Sequence, residues 1–141
     1  MKGSFLQWMG LLAIVLFVSC SSSKNIVPVE SGWELLGDMK VDFIRDKDAI
    51  DVSSNTLFTA IRFRVTDQDV RISDMKIEFQ NGDKLQPSID EVVAKDQYSK
   101  TIELGSDGRR IKRIEFKYRS TGNILKGRAD VLVFGQKAYW Q

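Results

Sequence analysis

Leu57-Phe58-Thr59-Ala60-Ile61-Arg62-Phe63-Arg64-Val65 is the stretch that decides the fold class. Leu57, Ile61, Phe63 and Val65 alternate with Phe58, Ala60, Arg62 and Arg64, a period of two rather than the 3.6 of a helix. Side chains at that spacing fall on opposite faces of an extended chain. The stretch therefore predicts a half-buried antiparallel strand with one apolar face and one partly basic face.

Working outward, the same period recurs. Met75, Ile77 and Phe79 alternate with Lys76, Glu78 and Gln80, and Asn81-Gly82 follows as a tight-turn signal, so a hairpin to the Lys84–Ile89 region is predicted. Ile102 and Leu104 lead through Gly105-Ser106-Asp107-Gly108 to Ile114, Phe116 and Tyr118, which reads as a second hairpin. After Thr121-Gly122-Asn123 the run Val131-Leu132-Val133-Phe134 is continuously apolar, as expected of a central strand covered on both faces and closing a C-terminal meander. Trp33–Gly37 and Lys40–Phe43 supply one or two more strands with a kink at Gly37-Asp38.

Seven or eight short strands are more than one twisted sheet keeps open, so an antiparallel β-sandwich over residues 33–141 is predicted. Strand count and alternation leave a closed barrel as the alternative. A 141-residue chain that is 43% hydrophobic and 28% charged has enough apolar surface for one such core.

The N-terminus follows a different logic. Met1-Lys2-Gly3-Ser4 is a short basic head, Phe5–Val18 is mostly apolar, and Ser19 is small; together residues 1–19 have the form of a helical secretory signal. The apolar run is short for a membrane span, which takes about 20 residues. Phe17-Val18-Ser19-Cys20 resembles the lipobox of bacterial lipoproteins, and Cys20 is the chain's single cysteine. That resemblance implies cleavage before Cys20, a diacylglycerol on its sulfur and acylation of the new amine. Ser21 rather than an aspartate next to the cysteine implies, by analogy with lipoprotein sorting, an outer-membrane address facing the periplasm. Residues 20–32 then read as a lipidated cysteine and polar tether. Two or more acyl chains hold a protein stably on a membrane where one does not.

Composition excludes several function classes. Losing Lys2 with the signal leaves the mature chain close to neutrality, far from the charge of a nucleic-acid binder. Without any histidine the commonest general base and transition-metal ligand are missing, and no glycine-rich phosphate loop precedes a helix. No cofactor is expected, and no catalytic set stands out. An enzyme of this composition would need two carboxylates about 5 to 10 Å apart, working on a glycan.

Three groups of residues are candidates for a site. Arg62, Arg64, Arg113, Lys117 and Arg119, with Arg109, Arg110, Lys112 and Arg128 nearby, would form one cationic stripe for an anion or partner if their strands are neighbours; pairing with Glu78 and Glu115 would instead leave a solvated surface. Asp46, Asp48 and Asp51 are the oxygen-rich grouping a calcium ion uses, but no turn glycine or closing glutamate accompanies them, and a solvated acidic turn is the plainer reading. Among the aromatics, Trp33 is assigned to the core. Phe58 and Tyr98 are candidates for exposed contacts, and Tyr139-Trp140 is either a terminal clasp or an exposed contact.

Trp33-Glu34-Leu35-Leu36-Gly37, Asp46-Lys47-Asp48, Ala60–Val65 and Arg110–Phe116 together make the domain similar to a group of short exported bacterial β-domains without an assigned activity. The expected function is thus a membrane-anchored, non-catalytic binding or structural module for a glycan or protein partner. An accessory subunit of a larger envelope complex is the alternative.

Overall fold

Alternating apolar residues build two antiparallel sheets in the computed structural model, which describes residues 28–41, 47–120 and 128–139. The expected signal helix, Cys20, Asp46 and Trp140 lie outside the described residues. The strands are β1 (Trp33–Val41), β2 (Lys47–Asp51), β3 (Phe58–Thr66), β4 (Val70–Phe79), β5 (Lys84–Leu85), β6 (Glu91–Val93), β7 (Ile102–Glu103), β8 (Ile111–Ser120) and β9 (Ala129–Lys137). One sheet, here sheet A, has the order β1-β9-β3-β7. The other, sheet B, has the order β2-β8-β4-β5, with β6 also paired to β4.

The two sheets pack face to face and do not close into a barrel, so the sandwich expectation holds. The described residues contain nine strands rather than seven or eight. The excess comes from two-residue strands such as β5 and β7, too short to show an alternation.

Between the sheets lie Phe63 and Val65 of β3, Val131 and Val133 of β9, Met75 and Ile77 of β4, and Ile114, Phe116 and Tyr118 of β8, all at most 2% exposed. Phe63 and Phe116 meet edge-to-face across the interlayer at 5.4 Å and 88°. Burying each such side chain contributes about 1.5–3 kcal/mol, which is what holds the layers together.

Two expectations are corrected. The Met75–Phe79 strand does form the predicted hairpin, with Ile77 opposite Leu85 and Glu78 opposite Lys84. The second hairpin does not form. Ile102 and Glu103 pair with Ile61 and Ala60 of β3, while β8 pairs with β2 and β4 in the other sheet. Gly105 and Gly108, both at positive φ (128° and 82°), carry the chain between layers instead of reversing it within one. Consequently the C-terminal half is no meander, although β9 is central, lying between β1 and β3. The kink expected at Gly37-Asp38 is present in the structure. It is a bulge between Leu35 and Gly37 inside one continuous strand, placed where Gly37 passes under Ile50: a Cβ there would sit 2.7 Å from Ile50 Cγ2.

Candidate functional site

Arg62 and Arg64 point outward from β3 onto the outer face of sheet A, because Ile61, Phe63 and Val65, which alternate with them, face the core. Register places Leu35, Phe134 and Arg62 in one row across β1, β9 and β3, and Asp38, Leu132 and Arg64 in the next. The segment after β6 folds along the free edge of β3: Asp96 N–H donates to the Val65 carbonyl at 2.7 Å, and Ser99 N–H to that of Phe63 at 2.7 Å. Ser99 Oγ in return accepts from Phe63 N–H at 3.0 Å. Tyr98, held between these bonds, lies across the outer face.

Arg62 is consequently enclosed by two rings. Its guanidinium carbon lies 4.0 Å from the centroid of Trp33 and 4.0 Å from that of Tyr98, and one terminal nitrogen meets Glu30 at 2.9 Å. Only 15% of the Arg62 side chain is exposed. Stacking of this kind is worth about 0.5–1 kcal/mol per ring at a surface and about 2 where water is excluded. Arg64 lies 5.2 Å from the Tyr98 centroid. Tyr98 also covers Phe134 edge-on at 5.9 Å, which buries that outward-facing ring to 1%. The Nε groups of both Arg62 and Arg64 are buried without a hydrogen-bond partner among the described residues. Leu35 and Val29 remain 42% and 47% exposed.

Trp33 is therefore not a core residue; it is a half-buried platform on the outer face. Phe58 is the reverse case. It is fully buried because a register shift between Phe58 and Ala60 turns it inward. The core assignment of Trp33 rests on its being a large aromatic, whereas alternation misplaces Phe58, since a bulge at the end of a strand inverts the parity of the residues beyond it.

Arg113, Lys117 and Arg119 lie on β8 in sheet B, so the two halves of the predicted stripe face away from each other and do not converge. On that second face charges alternate. Arg113 pairs with Asp51 at 3.2 Å and Glu115 at 3.4 Å, Lys112 with Glu78 at 3.6 Å, and Lys117 with Asp74 at 4.0 Å. Arg119 lies opposite Arg71, which holds Asp90 through two 2.8 Å bonds. The hydrogen bond and charge of Arg71 keep the Asp90 carboxyl below the usual carboxylate range, and Asp90 raises Arg71 in turn.

The remaining carboxylates do not form a cluster. Asp51 is committed to Arg113, Asp48 caps the Ala49 N–H at 2.9 Å, and no group of three potential metal ligands occurs among the described residues. A groove of about 440 Å³ between residues 85–91 and 100–103 carries Asp90, Glu91 and Glu103. Asp90 in it is ion-paired, and Glu91 accepts the Lys100 N–H at 3.1 Å.

Residues 10–135 match the model of DUF2541, described as a domain of unknown function. The chain belongs to this family. Among solved structures, Pseudomonas aeruginosa AlgX is similar at a TM-score of 0.45 and 13% identity over 74% of this chain; the DUF2541 chain spans 27% of the length of that one. No curated protein matches.

What distinguishes the DUF2541 domain chemically is the contrast between its two faces. Sheet B presents paired charges, the composition that interface cores avoid. Sheet A presents tryptophan, tyrosine and arginine, the residue types that dominate binding energy at protein interfaces, beside the exposed Leu35. With its rings already in place, that face needs little side-chain ordering to bind.

Proposed function

We propose that this chain is a lipid-anchored, non-catalytic module of the bacterial cell envelope that binds a protein partner through the outer face of sheet A. One observation carries the reading: Arg62, fixed between Trp33 and Tyr98 beside the exposed Leu35, forms a rigid anchor on an otherwise charged domain. The lipobox-like Phe17-Val18-Ser19-Cys20 supports the anchor and the outer-membrane address. Ion-pairing of Asp90, which leaves it ionised at neutral pH, favours binding over acid catalysis in the adjoining groove.

The test is crosslinking and co-purification of the full chain from the envelope, with Leu35→Asp and Lys117→Glu compared. A partner lost with Leu35→Asp and kept with Lys117→Glu is expected. Equal retention in both variants refutes the sheet A face. Cys20→Ala should abolish labelling by a fatty-acid analogue, and labelling that persists refutes the anchor.

A further inference from the structure

The end of the sandwich at which the chain enters also carries a cationic, aromatic surface. Lys137 N–H donates to the Gly32 carbonyl at 2.8 Å, so the segment leading into β1 is fixed beside the last residues of β9. Here three loops are laced together by main-chain bonds. Phe58 and Arg109 exchange two, at 2.9 and 2.8 Å, Ala138 N–H reaches the Leu57 carbonyl at 2.9 Å, and Gln80 N–H reaches that of Arg110 at 3.0 Å. Gly108 sits at the crossing, where a Cβ would come within 2.8 Å of the Ala138 Cβ.

Two shallow depressions flank Arg110 on this end. One of about 410 Å³ is bordered by Gln80, Asn81 and Arg109, and one of about 330 Å³ by Thr56, Lys137 and Tyr139. Arg109 stacks on Phe79 at 3.7 Å and pairs with Asp83 at 2.8 Å, and is thereby neutralised. Arg110, which is exposed, gives its Nε to the Asn55 carbonyl at 3.0 Å. Lys137 is exposed too, and among the described residues no carboxylate lines either depression; Lys84 is exposed opposite Glu78 of β4, and Asp107 and Glu103 are exposed at the Gly105–Gly108 turn. Tyr139 is 63% exposed beside them. A rigid surface whose depressions are lined by cations and an outward tyrosine is suited to a headgroup layer, where tyrosine is favoured and basic residues are drawn to anionic lipid.

Tether length ties this surface to the membrane. Cys20 and Pro28 are eight residues apart, a reach of at most about 30 Å at roughly 3.3–3.6 Å each. A nine-residue strand such as β1 is itself about 30 Å long. An anchor of that reach, joined at this end, lets this end meet the lipid with the opposite one, carrying Asp67, Asp69 and Asp96, held away. We infer that Arg110, Lys137, Lys84 and Tyr139 form a second, electrostatic contact with the anionic headgroups of the membrane that holds the lipid. The domain then stands upright on the bilayer with the outer face of sheet A turned sideways. This inference rests on the lipid-anchor reading of Cys20.

The test uses the full acylated chain in vesicles of phosphatidylcholine with and without phosphatidylglycerol, with a fluorophore on Ser106→Cys at this end or Lys95→Cys at the other. Headgroup nitroxide quenching should be several-fold stronger at position 106, only in the anionic vesicles. Reversing Arg110→Glu with Lys137→Glu should remove that difference. Equal quenching at both ends, or quenching indifferent to the reversal, overturns the proposal. Mass spectrometry of the same preparation reads acylation of Cys20 separately. If Cys20 is bare, co-sedimentation of the unacylated full chain with anionic vesicles decides the surface on its own: about a tenfold or greater loss on charge reversal sustains it, and no loss overturns it. Tighter retention on an acidic polysaccharide than on those vesicles would assign the surface to a glycan and also overturn it.

Discussion

Gly135 of β9 lies directly beneath the ring of Phe58, so close that a Cβ on Gly135 would stand 2.6 Å from Phe58 Cδ1. The contact closes the core at the entry end of the sandwich, where Phe58 is fully buried. Gly135→Ala must displace that ring, and overpacking of this kind costs about 1–3 kcal/mol. Urea unfolding should show the loss with an unchanged slope, together with several degrees of Tm. Wild-type stability in the variant would mean that the Phe58 ring moves freely.

The Arg62 stack should contribute to stability as well as to recognition. Tyr98→Ala uncovers both Arg62 and Phe134, and a loss of about 1–2 kcal/mol is expected in denaturant melts. Arg62→Lys keeps the charge but loses the planar stack, and should cost about 1 kcal/mol. A lysine variant as stable as the parent would show that charge alone suffices there.

Two glycines at similar φ make a controlled pair. Gly82, at +94°, has open space where a Cβ would go, whereas Gly108, at +82°, would meet both Ala138 and Leu57. Gly82→Ala should therefore lose only the left-handed backbone penalty of about 1–2 kcal/mol, and Gly108→Ala should lose more. Hydrogen exchange at Ala138, whose N–H bonds to Leu57, should quicken in the second variant alone. Equal effects in the two variants would remove the packing argument.

Asp90 offers a titration test. Its carboxyl is held below the ordinary range chiefly by the hydrogen bond from Arg71. A depressed carboxylate stabilises the fold above its unfolded pKa, near 3.9, and loses that contribution as pH falls through the folded value. Arg71→Ala should raise the Asp90 carboxyl toward the ordinary range in a carboxyl-carbon NMR titration and flatten the loss of stability below about pH 4. An unmoved Asp90 would assign its shift to some other group.

Local order was largely legible in the residues. Period-two alternation located β3, β4 and β8, the continuous apolar run marked β9 as central, and Asn81-Gly82 marked the β4–β5 turn. Those signals work because side-chain direction in a strand depends only on parity along the chain. Phe58, beyond the bulge at Phe58/Ala60, was misread for the same reason, because one inserted residue reverses the parity.

The site depended on matters that parity does not carry. Sequence by itself determined an all-β domain from Trp33 onward and two alternating basic strands, since each is a property of residues close together along the chain. Tertiary structure decided that β3 and β8 belong to opposite layers, which divides Arg62 and Arg64 from Arg113, Lys117 and Arg119. It also decided that Tyr98 and Trp33, from distant segments, enclose Arg62. The reason is physical: strand partners are chosen by which buried surfaces fit across the core, and that choice sets which outward side chains become neighbours.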